Sequence, residues 1–187
     1  LILSIPSYKD IAVVPHLFLV VLGGRIKLCN IELHDVRFVV GESIEATYPE
    51  LKRQWFGLSQ GLHLDAYMSV QCIDGFRVKI SREVPSKNVN RLWFVNMGAY
   101  RADSLAELHH FGLLVAPSAQ AAKARAKQRW LKKFLHQHKD DLCAVDNCVA
   151  VEKFQSETAC DWYVQLEPHP DGLSQAQVPD WFGYRLI

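Results

Sequence analysis

Laid over itself at an offset of 75, the chain repeats: Leu17 to Phe56 align with Leu92 to Leu131 without a gap. Eleven of the 40 aligned positions are identical, where unrelated sequence gives roughly two or three. The identities include Gly23/Gly98, Glu32/Glu107, Leu33/Leu108, His34/His109, Ser43/Ser118 and Trp55/Trp130. A chain of 187 residues built this way is two copies of one supersecondary unit. Alone, a unit of that size buries too little surface to be robust, so the halves are expected to share a core.

Each copy opens with a short apolar run, Leu17 to Leu22 or Leu92 to Met97, that stops at glycine. Such runs read as strands buried on both faces. A polar connection carrying Glu-Leu-His leads to a second strand, Val36 to Val40 or Phe111 to Val115. Ser43 and Ser118 then offer a hydroxyl to cap a helix. Behind them Ile44, Tyr48, Leu51 and Trp55, or Ala119, Ala122, Ala126 and Trp130, recur at helical spacing. Pro49 predicts a kink in the first helix, or a helix that begins near it. His63 to Ile73 and His138 to Val145 read as further strands. Asp74-Gly75 and Asp146-Asn147 read as hairpin turns into Phe76 to Ile80 and Cys148 to Val151. Pro85 to Asn90 joins the copies.

The expected fold is therefore α+β: tandem strand-strand-helix-strand-strand units packed with pseudo-twofold symmetry, plus a C-terminal strand pair, Trp162 to Leu166 and Phe182 to Ile187. The boundaries are an N-terminal extension (1–16), repeat 1 (17–84), repeat 2 (91–151) and a C-terminal extension (152–187) that packs on the repeats in one compact body and covers a sheet edge.

With 21 Lys plus Arg against 20 Asp plus Glu, no global field draws the chain to nucleic acid or membrane. No apolar run approaches the ~20 residues of a membrane span. Five cysteines without a CxxC pair read as reduced thiols, and the broken apolar start does not read as a signal peptide, so a cytoplasmic location is expected.

The runs Leu17 to Gly24, Cys29 to Gly41 (CNIELHDVRFVVG), Tyr48 to Gly57 (YPELKRQWFG), Glu107 to Ser118 (ELHHFGLLVAPS) and His138 to Cys148 (HKDDLCAVDNC) resemble the bacterial family catalogued as domain of unknown function 1543. Its members carry one or two copies of the domain. The resemblance spans about Leu17 to Val151 and implies no activity, substrate or catalytic residue.

The polar residues that packing alone does not require are Glu32 and His34, matched by Glu107 and His109, and His63 and Asp65, aligned at the same offset with His138 and Asp140. Residues two apart on a strand share a face, so each pair presents an acid and an imidazole together. That chemistry suits a binding site, a metal or acid-base work. If the copies meet about a twofold axis, His34 and His109 could converge. The plainer reading is that the pairs bond neighbouring backbone groups in both copies.

No recognised ligand spacing such as HExxH is present, so no metal is assigned and no cofactor is expected. The leading functional expectation is a non-catalytic binding or protein-interaction module. The alternative is a small enzyme or metal-binding protein using the duplicated Glu-x-His and His-x-Asp residues. A third reading, nucleic-acid binding, rests on Lys123, Arg125, Lys127, Arg129, Lys132, Lys133 and Lys139; a solvated helix face explains these basic residues better. Open sheet edges make a homodimer the simplest partner.

Overall fold

The computed structural model describes residues 14–85, 89–100, 103–134, 143–155 and 161–187. The first copy holds β1 (His16–Gly24), β2 (Leu33–Gly41), α1 (Tyr48–Gln54), β3 (His63–Val70), β4 (Cys72–Ile73) and β5 (Phe76–Ser81). The second holds β6 (Arg91–Ala99), β7 (Leu108–Ala116), α2 (Ala119–Phe134) and β8 (Cys143–Ala150), with β9 (Lys153–Phe154) just past its end. Two further strands follow, β10 (Trp162–Pro168) and β11 (Trp181–Leu186). Among the described residues these eleven strands form three antiparallel sheets, of order β11-β3-β1-β2, β7-β6-β8 and β4-β5-β10-β9. The class is α+β.

Two helix-backed sheets explain why β1 and β6 are apolar on both faces. One face of β1, with Leu17 and Leu19, joins Leu92, Leu113, Val115, Val164 and Leu166 in a core drawn from both copies and the C-terminal segment. The opposite face, Phe18, Val20 and Leu22, packs on Leu51 and Trp55 of the α1 segment. In the second copy Trp93, Val95 and Met97 meet Ala122, Ala126 and Trp130 of α2 in the same way. Among the described residues no helix is long and apolar enough to cross a membrane.

Ser43 Oγ accepts from the Ala46 N–H at 3.2 Å, and Ser118 Oγ accepts from Ala121 N–H at the same distance. The capping expectation holds for α2; in the first copy Ser43 bonds the 3-10 turn instead, and α1, entered from Thr47, has no side-chain cap. Pro49 sits in the first turn of α1, after a 3-10 turn at Glu45–Thr47, because a proline at that point loses no intrahelical bond. Seven residues cannot sustain a helix in water, so α1 depends on burying Leu51 and Trp55.

The copies stay 75 residues apart through β1/β6 and β2/β7, then slip. Leu22 pairs with Leu64 and Gly23 with His63, whereas Met97 pairs with Val145 and Gly98 with Ala144. After the helix the offset is therefore 81, and most of the slip arises in the helix, since α2 ends at Phe134, 80 residues after Gln54 at the end of α1. Three expectations change with it. The strand counterpart of His63 is Ala144 and that of Asp65 is Asp146. His138 and Asp140, aligned by the constant offset, lie outside the described residues. Asp146-Asn147 is not a hairpin turn but lies inside β8, and Cys148 continues the same strand. The first-copy turn does form, with Asp74 at φ 51° and Gly75 at φ 81°, the paired positive values a two-residue hairpin needs.

Nor do the C-terminal strands pair with each other. β10 lies between β5 and β9, while β11 pairs with β3 and covers the edge of the first sheet. Among the described residues β8, at the equivalent position, has no such cover. Between them the strap at 169–180 binds both copies through side-chain amides. Gln175 accepts from Gln71 and Cys72 N–H and donates to Ser69 O, and Gln177 accepts from and donates to the Leu113 peptide.

Asp74 makes the other tie between copies. Its carboxylate accepts from the Val115 N–H at 2.9 Å and from Arg129 at 2.8 Å, and the side chain is largely buried. Asp74→Ala strands that N–H and puts alanine at positive φ, so a loss of about 2–3 kcal/mol in urea unfolding is expected. Asp74→Asn, which keeps an acceptor and tolerates the turn, should lose less.

Candidate functional site

Three adjacent strands set the site. On the face of the first sheet turned toward the shared core, His34 of β2, Gly23 of β1 and His63 of β3 stand in one row across the ladders. Asp65 is the extra residue of a bulge in β3, between the Val21/Ala66 and Leu22/Leu64 pairs. Bulges re-aim side chains, and this one brings Asp65 over Gly23. A Cβ on Gly23 would lie 2.7 Å from His63 Cε1 and 3.1 Å from Asp65 Oδ2. The glycine, which reads from sequence as strand punctuation, is what makes room for the imidazole.

The four predicted first-copy residues come together. His34 Nε2 lies 3.2 Å from Asp65 Oδ2 and 3.6 Å from Glu32 Oε1. His63 Nε2 lies 3.2 Å from Asp65 Oδ1 and 3.9 Å from Glu32 Oε2. One ligand atom each from Glu32, His34 and His63 falls within 4.8 Å of the other two. Arg25 fixes the loop leading to Glu32 by donating to the carbonyls of Cys29 and Asn30 at 3.4 and 3.1 Å.

His63 is 1% exposed, yet its ring is oriented on both sides. Nδ1 lies 2.8 Å from the Gly61 carbonyl, which can only accept, so Nδ1 carries the proton. Nε2 then faces two carboxylates. Tyr184 of β11 covers the ring, with centroids 4.1 Å apart. A register shift between Phe182 and Arg185 places it there. Nothing in the sequence of β11 marked Tyr184. The other side of the cluster is open, since the side chains of His34 and Glu32 keep 50% and 45% exposure.

The second copy builds a related but different cluster. His109 Nε2 lies 3.8 Å from Glu107 Oε2, and its Nδ1 lies 3.6 Å from Asp146 Oδ2. Asn96 Nδ2 stands 3.4 Å from both His109 Nδ1 and Asp146 Oδ2. Where the first copy has His63, the ladder has Ala144, and the space above Gly98 is taken by the Glu107 and Asp146 carboxylates. Glu107 accepts from the Tyr100 hydroxyl, and that hydrogen bond raises the exposed phenol above its usual pKa. Asp146 was not among the predicted residues. Allowing the repeat a six-residue gap would have found it, though Asp and one Val are then the shared residues in HLDAYMSV and AVDNCVAV.

Among the described residues the polar contacts of His34 and of His109 stay within their own copies. In α2, Arg125 donates to the Val115 carbonyl and Arg129 pairs with Asp74, so two residues of the basic set serve the fold.

A sequence profile of the family described as Domain of Unknown Function (DUF1543) matches residues 29–80 and 104–152. No curated protein matches the chain. Among solved structures it is similar to one titled "Crystal structure of a protein Il1583 from Idiomarina loihiensis", with 37% identity and a TM-score of 0.70 over 92% of this chain and 98% of that one. The two profile segments contain Glu32 to Asp65 and Glu107 to Asp146, while Gly23, Asn96 and Tyr184 lie outside them.

Proposed function

This chain belongs to the DUF1543 family, and we propose that its first copy binds one divalent transition-metal ion through Glu32, His34 and His63, with Asp65 beside both imidazoles. The spacing of the donor atoms carries the reading. Two ligands about 2.0–2.1 Å from a zinc ion at a tetrahedral angle lie roughly 3.3–3.4 Å apart. Among the three proposed ligands His34 lies 3.6 Å and His63 3.9 Å from Glu32, and all three donor atoms fall within 4.8 Å of one another, so the exposed Glu32 and His34 side chains must rotate inward to close the site.

The second support is the Nδ1 bond of His63 to a carbonyl. Metal-bound histidines characteristically donate their other ring N–H in this way, which fixes the tautomer and frees Nε2 to ligate. Two histidines and one carboxylate leave coordination positions open and suit zinc, iron(II), nickel or manganese. The two carboxylates balance the ion's charge. The protein then works as a metal-dependent binding module: the ion sits on a rigid sheet face, and the exposed side receives a further ligand.

In this reading the copies are related by a pseudo-twofold axis, supported by their matching ladders and common core. Among the described residues the first copy alone keeps the ligand set, because Ala144 occupies the ladder position of His63. Titration with zinc, nickel and manganese, followed by elemental analysis and thermal unfolding, tests the assignment. One tightly held equivalent per chain, with a raised Tm, is expected. No retained metal and no shift with any of the three would refute it.

A further inference from the structure

Beyond the row of His34, Gly23 and His63, the next residues on the same face are Val36, Val21 and Ala66. They lie about 7 Å further along the strands. From this second row an apolar cleft of about 210 Å³ opens over Leu19, Val21, Ala66 and Met68. Its opposite wall is Phe111 of β7 with Val178 of the strap. The cleft therefore lies between the two copies, at the end of their shared core nearest the metal cluster. Val178 is 60% exposed at its lip, and Phe182, the ladder partner of Ala66, is 77% exposed. Tyr184 continues this apolar edge onto His63.

We propose that the cleft holds the apolar tail of a small carboxylic acid whose head group completes the coordination of the metal ion. The inference rests on the metal reading above and adds the class of ligand. The volume fits one ring or a short alkyl chain, since an apolar cavity of about 150 Å³ is enough for benzene. A protein partner would need a far broader surface, on the order of 800 Å². The metal ion supplies the cation that a carboxylate head requires, and the two-residue separation along the sheet sets the tail a few bonds from the head.

The test uses the chain loaded with cobalt(II), whose visible spectrum reports coordination. 4-Phenylbutyrate should perturb the spectrum at concentrations at least about tenfold lower than acetate, because only it buries a ring. Ala66→Leu, which fills the cleft, should erase the difference, read as the ratio of the two acids' affinities on the same cobalt-loaded chain. Val178→Trp, at the exposed lip, should reduce it without touching the sheet. Equal affinity of the wild-type chain for the two acids would overturn the ligand proposal and leave the metal site standing. So would a phenylbutyrate advantage that survives in both variants. Failure of cobalt to bind at all would overturn both.

Discussion

Replacing His63 with alanine is expected to lower metal affinity by more than about 100-fold, since loss even of a group that merely orients a ligand costs 10–100-fold. The wild-type chain at a metal concentration about 100 times Kd should gain about 2.7 kcal/mol. For a protein of this size that is roughly 5–10 °C in Tm. The variant should show no such gain. Because His63 is buried, its removal also lowers the stability of the metal-free chain, so the gain on adding metal is the quantity to compare. Glu32→Gln offers a variant whose surface position spares the fold, and it should lose affinity in the same direction. His109→Ala, in the other copy, should bind metal as the wild type does.

Gly23→Ala should be nearly as damaging. The added methyl would press into the His63 ring and stand 3.1 Å from Asp65 Oδ2. The ring has no retreat: Gly61 O holds Nδ1, and Tyr184 lies against its face. Overpacking of this kind costs about 1–3 kcal/mol, and a displaced ligand should weaken metal binding by at least about tenfold. Gly98→Ala is the control that the duplication supplies. There the methyl meets the Glu107 carboxylate and lies 2.5 Å from Asp146 Oδ2. Those are the ends of partly exposed side chains that can swing aside, so a cost below about 1 kcal/mol is expected. Urea unfolding and metal titration of the two variants together measure the contrast.

The repeat made much of the fold legible because its identities fall on residues with strict local requirements. Ser118 caps α2 and Ser43 holds the turn that leads into α1, Trp55 and Trp130 fill the space between helix and sheet, and the apolar runs mark strands covered on both sides. What escaped was the consequence of unequal helix lengths. A gapless alignment has no means of registering that α2 outlasts α1. A constant offset therefore matches His63 and Asp65 with His138 and Asp140 and reads Asp146 as a turn. Both aspartates sit at β-bulges, and a bulge is a property of strand pairing that no local spacing reveals.

In the candidate site, Glu32, His34, His63 and Asp65 could be named from residue chemistry. Their meeting could not, because it depends on the order β3-β1-β2, which places the strand of Gly23 between those of the two histidines. Gly23 and Tyr184 were invisible for a related reason. One contributes by lacking a side chain, and the other arrives from 121 residues beyond His63 through the pairing of β11 with β3.

Anomalous X-ray scattering from crystals grown with zinc or cobalt locates the ion itself. We expect one strong peak per chain, within bonding distance of His34 Nε2, His63 Nε2 and a Glu32 carboxylate oxygen, and none at the Glu107, His109 and Asp146 cluster. A first-copy cluster without a peak, in crystals where the metal is bound elsewhere or not at all, would contradict the assignment.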